Sequence, residues 1–258
     1  MDNIYSELNR ISASGEEAAI CTVVNTKGSA PRKAGAKMIV LSDGKISGTI
    51  GGGALEKGVI ENALSVINTY ESKLFRYDLM NQFNMCCGGS MDIYIEPVMK
   101  KNKLYIFGAG HVGQALGRLA NMMQFEVFMI DDRKAELDQI DNPEINKMNL
   151  PYTSALPLLP FDQHTYICIM TYSHPMDRDI LAFCMKKTYV YLGMIGSLRK
   201  VEITNKRFRE AMIATDEELE KVDMPMGVDI NAESPEEIAI SIMGKIIKTK
   251  NEKYKRHL

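Results

Sequence analysis

The tetrad Cys86-Cys87-Gly88-Gly89 is where side-chain chemistry is most plainly on offer in this chain of 258 residues. A thiolate on an exposed loop, its pKa lowered, coordinates a soft metal or accepts sulfur as a persulfide. The plain alternative is a pair of small packing residues. Upstream, TKGSAPRKAG supplies Ser29, whose hydroxyl can bond an oxyanion, and Arg32, whose guanidinium can grip a phosphate through two N–H groups. Gly51-Gly52-Gly53 opens an amphipathic helix and reads two ways. It is a tight turn needing positive φ, or a row of backbone N–H groups that, with the helix dipole, holds an anion.

A second set of residues begins at KLYIFGAGHVGQAL, where Gly108, Gly110 and Gly113 match GxGxxG between an apolar run and a helical pattern. In that context the glycines serve the tight turn, the close approach of a phosphate and helix-to-strand packing; a carboxylate about 20 residues on accepts hydrogen bonds from ribose hydroxyls. Asp131 and Asp132 stand at that distance, and His111 inside the turn faces the same edge. NAD(P) is therefore one reading, although such a fold also holds other nucleotides or none. MTYSHPMDRDIL follows a buried strand and offers His174 and Asp177 as acid, base or metal contact, and Thr171 as a phosphate partner. YLGMIGSLRK repeats the logic with Gly193, Gly196, Ser197 and Arg199, a further anion site at the same sheet edge.

These groups need elements to hold them. Residues 1–100 read as a small α+β unit: strands at Ala18 to Asn25 and Lys37 to Leu41, a turn at Ser42-Asp43-Gly44, a helix carrying Leu55, Val59, Ile60, Ala63, Leu64 and Ile67, and strands in LFRYDL and MDIYIEPV. Lys100-Lys101-Asn102 is the expected boundary. Over 101–258 strands and helices alternate: KLYIF, a helix Val112 to Met123, EVFMI, TYICIM, a helix near Asp177 to Lys186, then TYVYLG. That alternation is the pattern of a parallel sheet covered on both faces, so the chain is of the α/β class with a Rossmann-like second domain. Leu150 to Phe161 is read as a connection. Ser234-Pro235-Glu236-Glu237 combines an N-cap, proline at N1 and a capping-box glutamate, opening a helix through about Lys248.

Composition narrows the partners. A formal charge of −2 gives no general attraction to nucleic acid or anionic membrane. No apolar run reaches the roughly 20 residues of a membrane span, and the first ten residues are too polar for a secretory signal, so a cytoplasmic location is expected. Five cysteines without a CxxC pair suggest neither a disulfide framework nor a zinc finger; Cys21, Cys168 and Cys184 sit in apolar segments and are expected to be buried.

Six blocks, GSAPRKAGAKM, DGKISGTIGGGALE, CGGSMDIYIEP, IFGAGHVGQAL with DDR, YLGMIGSLRK and PMGVDINAESPEEIAISI, occur in an order that resembles the XdhC/CoxI family of xanthine dehydrogenase accessory factors. The resemblance implies an N-terminal domain of the family's own type before a Rossmann domain, usually in a homodimer. It implies a maturation chaperone more than a stand-alone enzyme: one that binds molybdenum cofactor (molybdopterin), promotes its sulfuration with a cysteine desulfurase, and delivers it to a molybdenum hydroxylase such as xanthine dehydrogenase. Matching positions are Gly28, Ser29, Pro31 and Arg32; Gly51, Gly52, Gly53 and Glu56; Cys87, which would contact molybdenum; and Gly108, Gly110, Gly113, Asp131 and Asp132. Where many members carry Thr-His-x-His, this chain has Thr171-Tyr172-Ser173-His174, so a two-histidine site is not expected. The alternatives are an NAD(P)-dependent oxidoreductase with His174 as its acid, and a scaffold joining desulfurase to hydroxylase.

Overall fold

In a computed structural model describing residues 4–83, 88–98 and 100–255, the chain divides into two compact units, Met1–Lys100 and Lys101–Arg256.

The first unit runs α1 (Ile4–Ser14), β1 (Ala18–Lys27), β2 (Lys37–Leu41), β3 (Ile46–Gly48), α2 (Gly53–Thr69), β4 (Lys73–Asp78), α3 (Leu79–Phe83) and β5 (Ser90–Val98). Among the described residues five strands form one antiparallel sheet in the order β3-β2-β1-β5-β4. Period-2 alternation sends Ala19, Cys21 and Val23 of β1 and Met91, Ile93 and Ile95 of β5 to one face, where they pack with Leu55, Val59, Ala63, Val66 and Ile67 of α2. The β2–β3 connection is the expected turn: Gly44 has φ 82°, and the Asp43 carboxylate accepts from Lys45 N–H at 3.0 Å. Helix α1 places Ile11, Leu8 and Ile4 in a smaller cluster with Ala18 and Ile39.

The second unit runs β6 (Lys103–Phe107), α4 (His111–Met122), β7 (Glu126–Ile130), α5 (Lys134–Asp138), β8 (Asn146–Met148), α6 (Tyr152–Ala155), a 3-10 turn (Leu156–Leu158), β9 (Thr165–Ile169), α7 (His174–Cys184), β10 (Tyr191–Met194), α8 (Leu198–Glu210), α9 (Asp216–Glu220) and α10 (Pro235–Lys255). The sheet order is β10-β9-β6-β7-β8 and every pairing is parallel, the doubly wound arrangement that the strand–helix alternation predicts. Every residue of β9 is buried, as a strand covered on both faces requires. One face packs against α4 and α10 through Leu116, Ala120, Ala239, Ile242 and Ile246. The other packs against the segments around α6, α7 and α8 through Tyr152, Leu156, Ile180, Leu181 and Phe208.

Several boundaries differ from the sequence reading. Helix α7 begins at His174, three residues before the expected Asp177, with proline in its first turn. The segment read as a connection holds α6 and the 3-10 turn, because Tyr152, Ala155, Leu156 and Leu159 are all drawn into the core. Helix α10 continues to Lys255, and its start is the predicted capping box: Glu237 N–H donates to Ser234 Oγ at 3.3 Å, and Ser234 N–H to Glu237 Oε2 at 3.0 Å. Cys21, Cys168 and Cys184 are buried thiols; burial pushes Cys21 and Cys184 each up to about 12, which leaves them unreactive. Among the described residues no helix is long and apolar enough to cross a membrane.

Candidate functional site

In the first unit three glycine-bearing loops meet. Strand β1 runs out into Gly28, whose φ of 71° lies in the left-handed region. The next residue, Ser29, forms a parallel bridge with Gly88. A Cβ on Gly28 would stand 3.3 Å from Gly89 Cα, and one on Gly89 would collide with the carbonyl oxygens of Ser29 and Lys27. Glycine at position 89 is thus demanded by backbone-to-backbone approach. A Cβ on Gly51 would meet the Pro31 ring, which brings the triple glycine against the same loop. The sequence motifs around Ser29, Gly51 and Gly88 therefore form one constellation. Arg32 is exposed on that loop. Cys87, and Cys86 with it, lies outside the described residues.

The triple glycine has an occupant of its own. Glu56 Oε1 accepts from Thr49 Oγ1 at 2.6 Å, Gly52 N–H at 2.9 Å and Ile50 N–H at 3.1 Å. Burial alone would raise the Glu56 carboxyl, but these hydrogen bonds outweigh it and hold the group below its ordinary value. Glu56 was expected to touch cofactor; instead it organises the turn, filling with its own carboxylate part of the anion-binding row that Gly51, Gly52 and Gly53 offer. Gly53 is exposed, and a Cβ there would meet nothing.

In the second unit the turns after β6 and β9 flank the point where the sheet's winding reverses, the usual ligand crevice of such sheets. The three glycines have separable roles. A Cβ on Gly108 would strike the Met170 carbonyl, and one on Gly113 the Gly108 carbonyl, so both are demanded by packing. A Cβ on Gly110 would meet nothing; this residue caps α4 without a side-chain bond and leaves open space beside the helix N-terminus. His111, the first residue of α4, is exposed there.

Asp131 departs from its expected role as a ribose partner. It is fully buried. Its Oδ2 accepts from Ala109 N–H at 2.7 Å and Arg133 Nη2 at 2.8 Å, and its Oδ1 from Arg133 N–H at 2.9 Å and Nε at 3.0 Å. Burial would raise this carboxyl; the Arg133 side chain, then the Ala109 and Arg133 N–H groups, hold it below its ordinary value. A ribose hydroxyl would have to displace one of these donors. Asp131 is therefore a lock between the β6–α4 turn and the end of β7. Asp132 beside it is half-buried: its Oδ2 accepts from Tyr172 Oη at 3.1 Å, and the Arg133 guanidinium lies 4.5 Å from the Tyr172 ring centroid.

After β9, Thr171 is buried and its hydroxyl donates to Asp177 Oδ1 at 2.6 Å, while its N–H donates to the same oxygen at 2.9 Å. It is not free for phosphate. His174 Nδ1 lies 3.4 Å from Asp177 Oδ2. When Nδ1 carries the proton, Nε2 is left as an acceptor on a half-exposed ring, the orientation of a general base. Burial pushes the Asp177 carboxyl above its ordinary value, and the bonds from Thr171 and His174 offset only part of that. His174, Asp177 and Lys200 line a cleft of about 110 Å³. Ser197 caps α8 without a side-chain hydrogen bond, and Ser197 and Arg199 are exposed beside Gly196. Among the described residues no group of three or more His, Cys, Asp or Glu side chains forms a metal site. Sequence reasoning missed Tyr152, which lines a separate cavity with Asp132; its signal, an aromatic in a proline-rich stretch, was too common to stand out.

This fold defines a two-unit α/β protein whose second unit is a Rossmann-type parallel sheet. Comparison with known families is specific: residues 104–246 match the XdhC Rossmann domain, and residues 11–78 match the XdhC and CoxI family. The chain belongs to the XdhC family. It is 30% identical over 255 residues to an uncharacterized Escherichia coli protein, YqeB, covering 96% of this chain and 46% of that relative, so the chain spans about half of YqeB's length. It is 21% identical to a Bacillus subtilis protein whose name makes it a probable component of xanthine dehydrogenase, across 97% and 98% of the two chains. A Bacillus halodurans crystal structure, described as a xanthine dehydrogenase, superposes with a TM-score of 0.52 at 20% identity, over 96% and 95% of the chains. At that identity the likeness speaks for the fold.

Proposed function

We infer that this protein is an accessory factor in the maturation of a molybdenum hydroxylase of the xanthine dehydrogenase kind, carrying molybdenum cofactor as cargo and supporting its sulfuration before insertion. Family membership and the name of the Bacillus subtilis relative support the client class. The observation that carries the cargo reading is the meeting of the Ser29, Gly51 and Gly88 loops in the first unit. The loop carrying Ser29 and the exposed Arg32 would serve the cargo's phosphate through charge-assisted hydrogen bonds, with Gly53 as a further N–H at the rim. Cys87, directly before Gly88 in the chain, would serve the metal–sulfur end, where a thiolate is the natural soft ligand and sulfur acceptor. The desulfurase and a second copy of this chain are the partners such a role calls for. The cargo itself supplies the redox-active metal of the client enzyme.

The NAD(P) reading draws less support, because Asp131, the carboxylate it relies on, already receives four internal hydrogen bonds. Expression in a host that makes molybdopterin, anaerobic purification, and assay for the fluorescent oxidised pterin and for molybdenum test the cargo reading. Both should copurify with the wild-type chain and fall with Cys87→Ala. Protein that restores hydroxylase activity yet carries neither would refute it.

A further inference from the structure

We propose that Tyr172 is a specificity-determining strap: by holding the Asp132 carboxylate across the end of β6, it keeps the ribose of adenine nucleotides out of the second unit's crevice. The inference rests on the second unit alone and stands whether or not the protein carries molybdenum cofactor.

Strand β6 lies between β9 and β7 in the sheet. Tyr172 follows β9 and Asp132 follows β7, so their 3.1 Å hydrogen bond joins the two turns that flank the end of β6. Two strand spacings of about 4.8 Å each separate β9 from β7, and a tyrosine side chain is long enough to cover most of that span. Beneath it runs the turn from Gly108 to Gly110 that enters α4. That turn is held from both sides. Toward β9, a Cβ on Gly108 would stand 3.1 Å from Thr171 Cα; toward β7, Ala109 N–H donates to Asp131 at 2.7 Å.

In sheets of this kind an adenine nucleotide lays its phosphates at such a turn and gives its ribose hydroxyls to a carboxylate after the next strand. Asp131 is fully engaged by Ala109 and Arg133. Of the Asp132 oxygens, Oδ1 is buried, which leaves Oδ2 to meet a ribose. Tyr172 occupies that oxygen. The carboxylate raises the Tyr172 phenol above its ordinary value, so the phenol stays a donor at neutral pH. The Arg133 guanidinium, 4.5 Å from the ring centroid, steadies the ring. Tyr172 is nevertheless 53% exposed, so its replacement removes the strap without opening the core.

Calorimetric titration of the full chain with ADP and with 2′-deoxy-ADP tests the strap. Tyr172→Ala and Tyr172→Phe should each bind ADP about 3- to 10-fold more tightly than wild type, the worth of freeing one carboxylate oxygen. The gain for 2′-deoxy-ADP, which lacks the 2′-hydroxyl, should stay below about 2-fold. Adding Asp132→Ala to Tyr172→Phe should abolish the ADP gain. Tyr172→Phe keeps the ring against Arg133 and serves if the alanine variant does not fold, as judged by circular dichroism. The proposal is overturned if wild type and both variants bind ADP equally well, or if none of them binds it at millimolar concentration. Equal gains for the two nucleotides would also overturn it, since the ring would then only fill space and Asp132 would read no hydroxyl.

Discussion

Replacing Asp131 separates a structural lock from a ligand group. The carboxylate is fully buried and takes hydrogen bonds from Ala109 N–H, Arg133 N–H and the Arg133 side chain. Asp131→Ala leaves the Ala109 N–H without its acceptor, a loss of about 1–3 kcal/mol. It also breaks a pair whose arginine side chain is 35% exposed, so this part falls short of the ~3–5 kcal/mol of a fully buried pair. A total of roughly 3–4 kcal/mol is expected, against a typical stability of about 5–15 kcal/mol. At about 2–4 °C per kcal/mol for a unit of this size, the second unit's midpoint should fall by roughly 6–16 °C. Asp131→Asn, which keeps an acceptor for Ala109, should lose about half as much. The pH dependence has a definite sign. Since the folded carboxyl is held below its ordinary value of 3.8, its stabilisation is complete above that value and is lost as pH falls through the lowered one. Asp131→Ala should therefore show a smaller loss of stability in acid. Urea and thermal unfolding followed by circular dichroism measure both effects. An alanine variant within ~0.5 kcal/mol of wild type, with the same acid response, would refute the lock.

The other expectations are as concrete. Gly113→Ala, whose Cβ would run into the Gly108 carbonyl, should destabilise the second unit by roughly 2–3 kcal/mol or more. Gly110→Ala, with φ −70° and open space around it, should stay within ~0.5 kcal/mol of wild type in the same denaturation series. Glu56→Ala should cost the first unit about 1–2 kcal/mol, because Thr49, Ile50 and Gly52 lose their acceptor in a turn that water partly reaches. Asp177→Asn should change stability by less than ~1 kcal/mol, since its oxygen still accepts from Thr171. The folded Asp177 carboxyl lies above its ordinary value, so wild type should gain on this variant as pH falls through that raised value, opposite in sign to Asp131.

What the sequence made legible was periodicity and local chemistry. Alternation in MDIYIEPV, buried runs in KLYIF and TYICIM, glycines 108, 110 and 113 and the Ser234–Glu237 capping box all depend on residues close in the chain, and the fold follows them. Hydrogen-bond partners set by tertiary structure were not legible. Asp131 and Glu56 stand where a ligand carboxylate or contact would, yet backbone N–H groups from Ala109 and from Ile50 and Gly52 claim them first. Thr171 is drawn to Asp177 by the same competition. The proline-rich stretch around Tyr152 carries no clear period, so its place in a core and a cavity emerges only when α6 packs beside α7.

Transfer of cargo to a client enzyme is the decisive measurement for the maturation role. The chain purified anaerobically from a molybdopterin-making host is mixed with a cofactor-free xanthine dehydrogenase-type hydroxylase, alongside chain from a host unable to make molybdopterin. Activation should rise in proportion to the pterin carried by the first preparation, be absent with the second, and fall steeply with Cys87→Ala. Equal activation by both preparations, or none from pterin-loaded protein, would show that this chain does not deliver the cofactor.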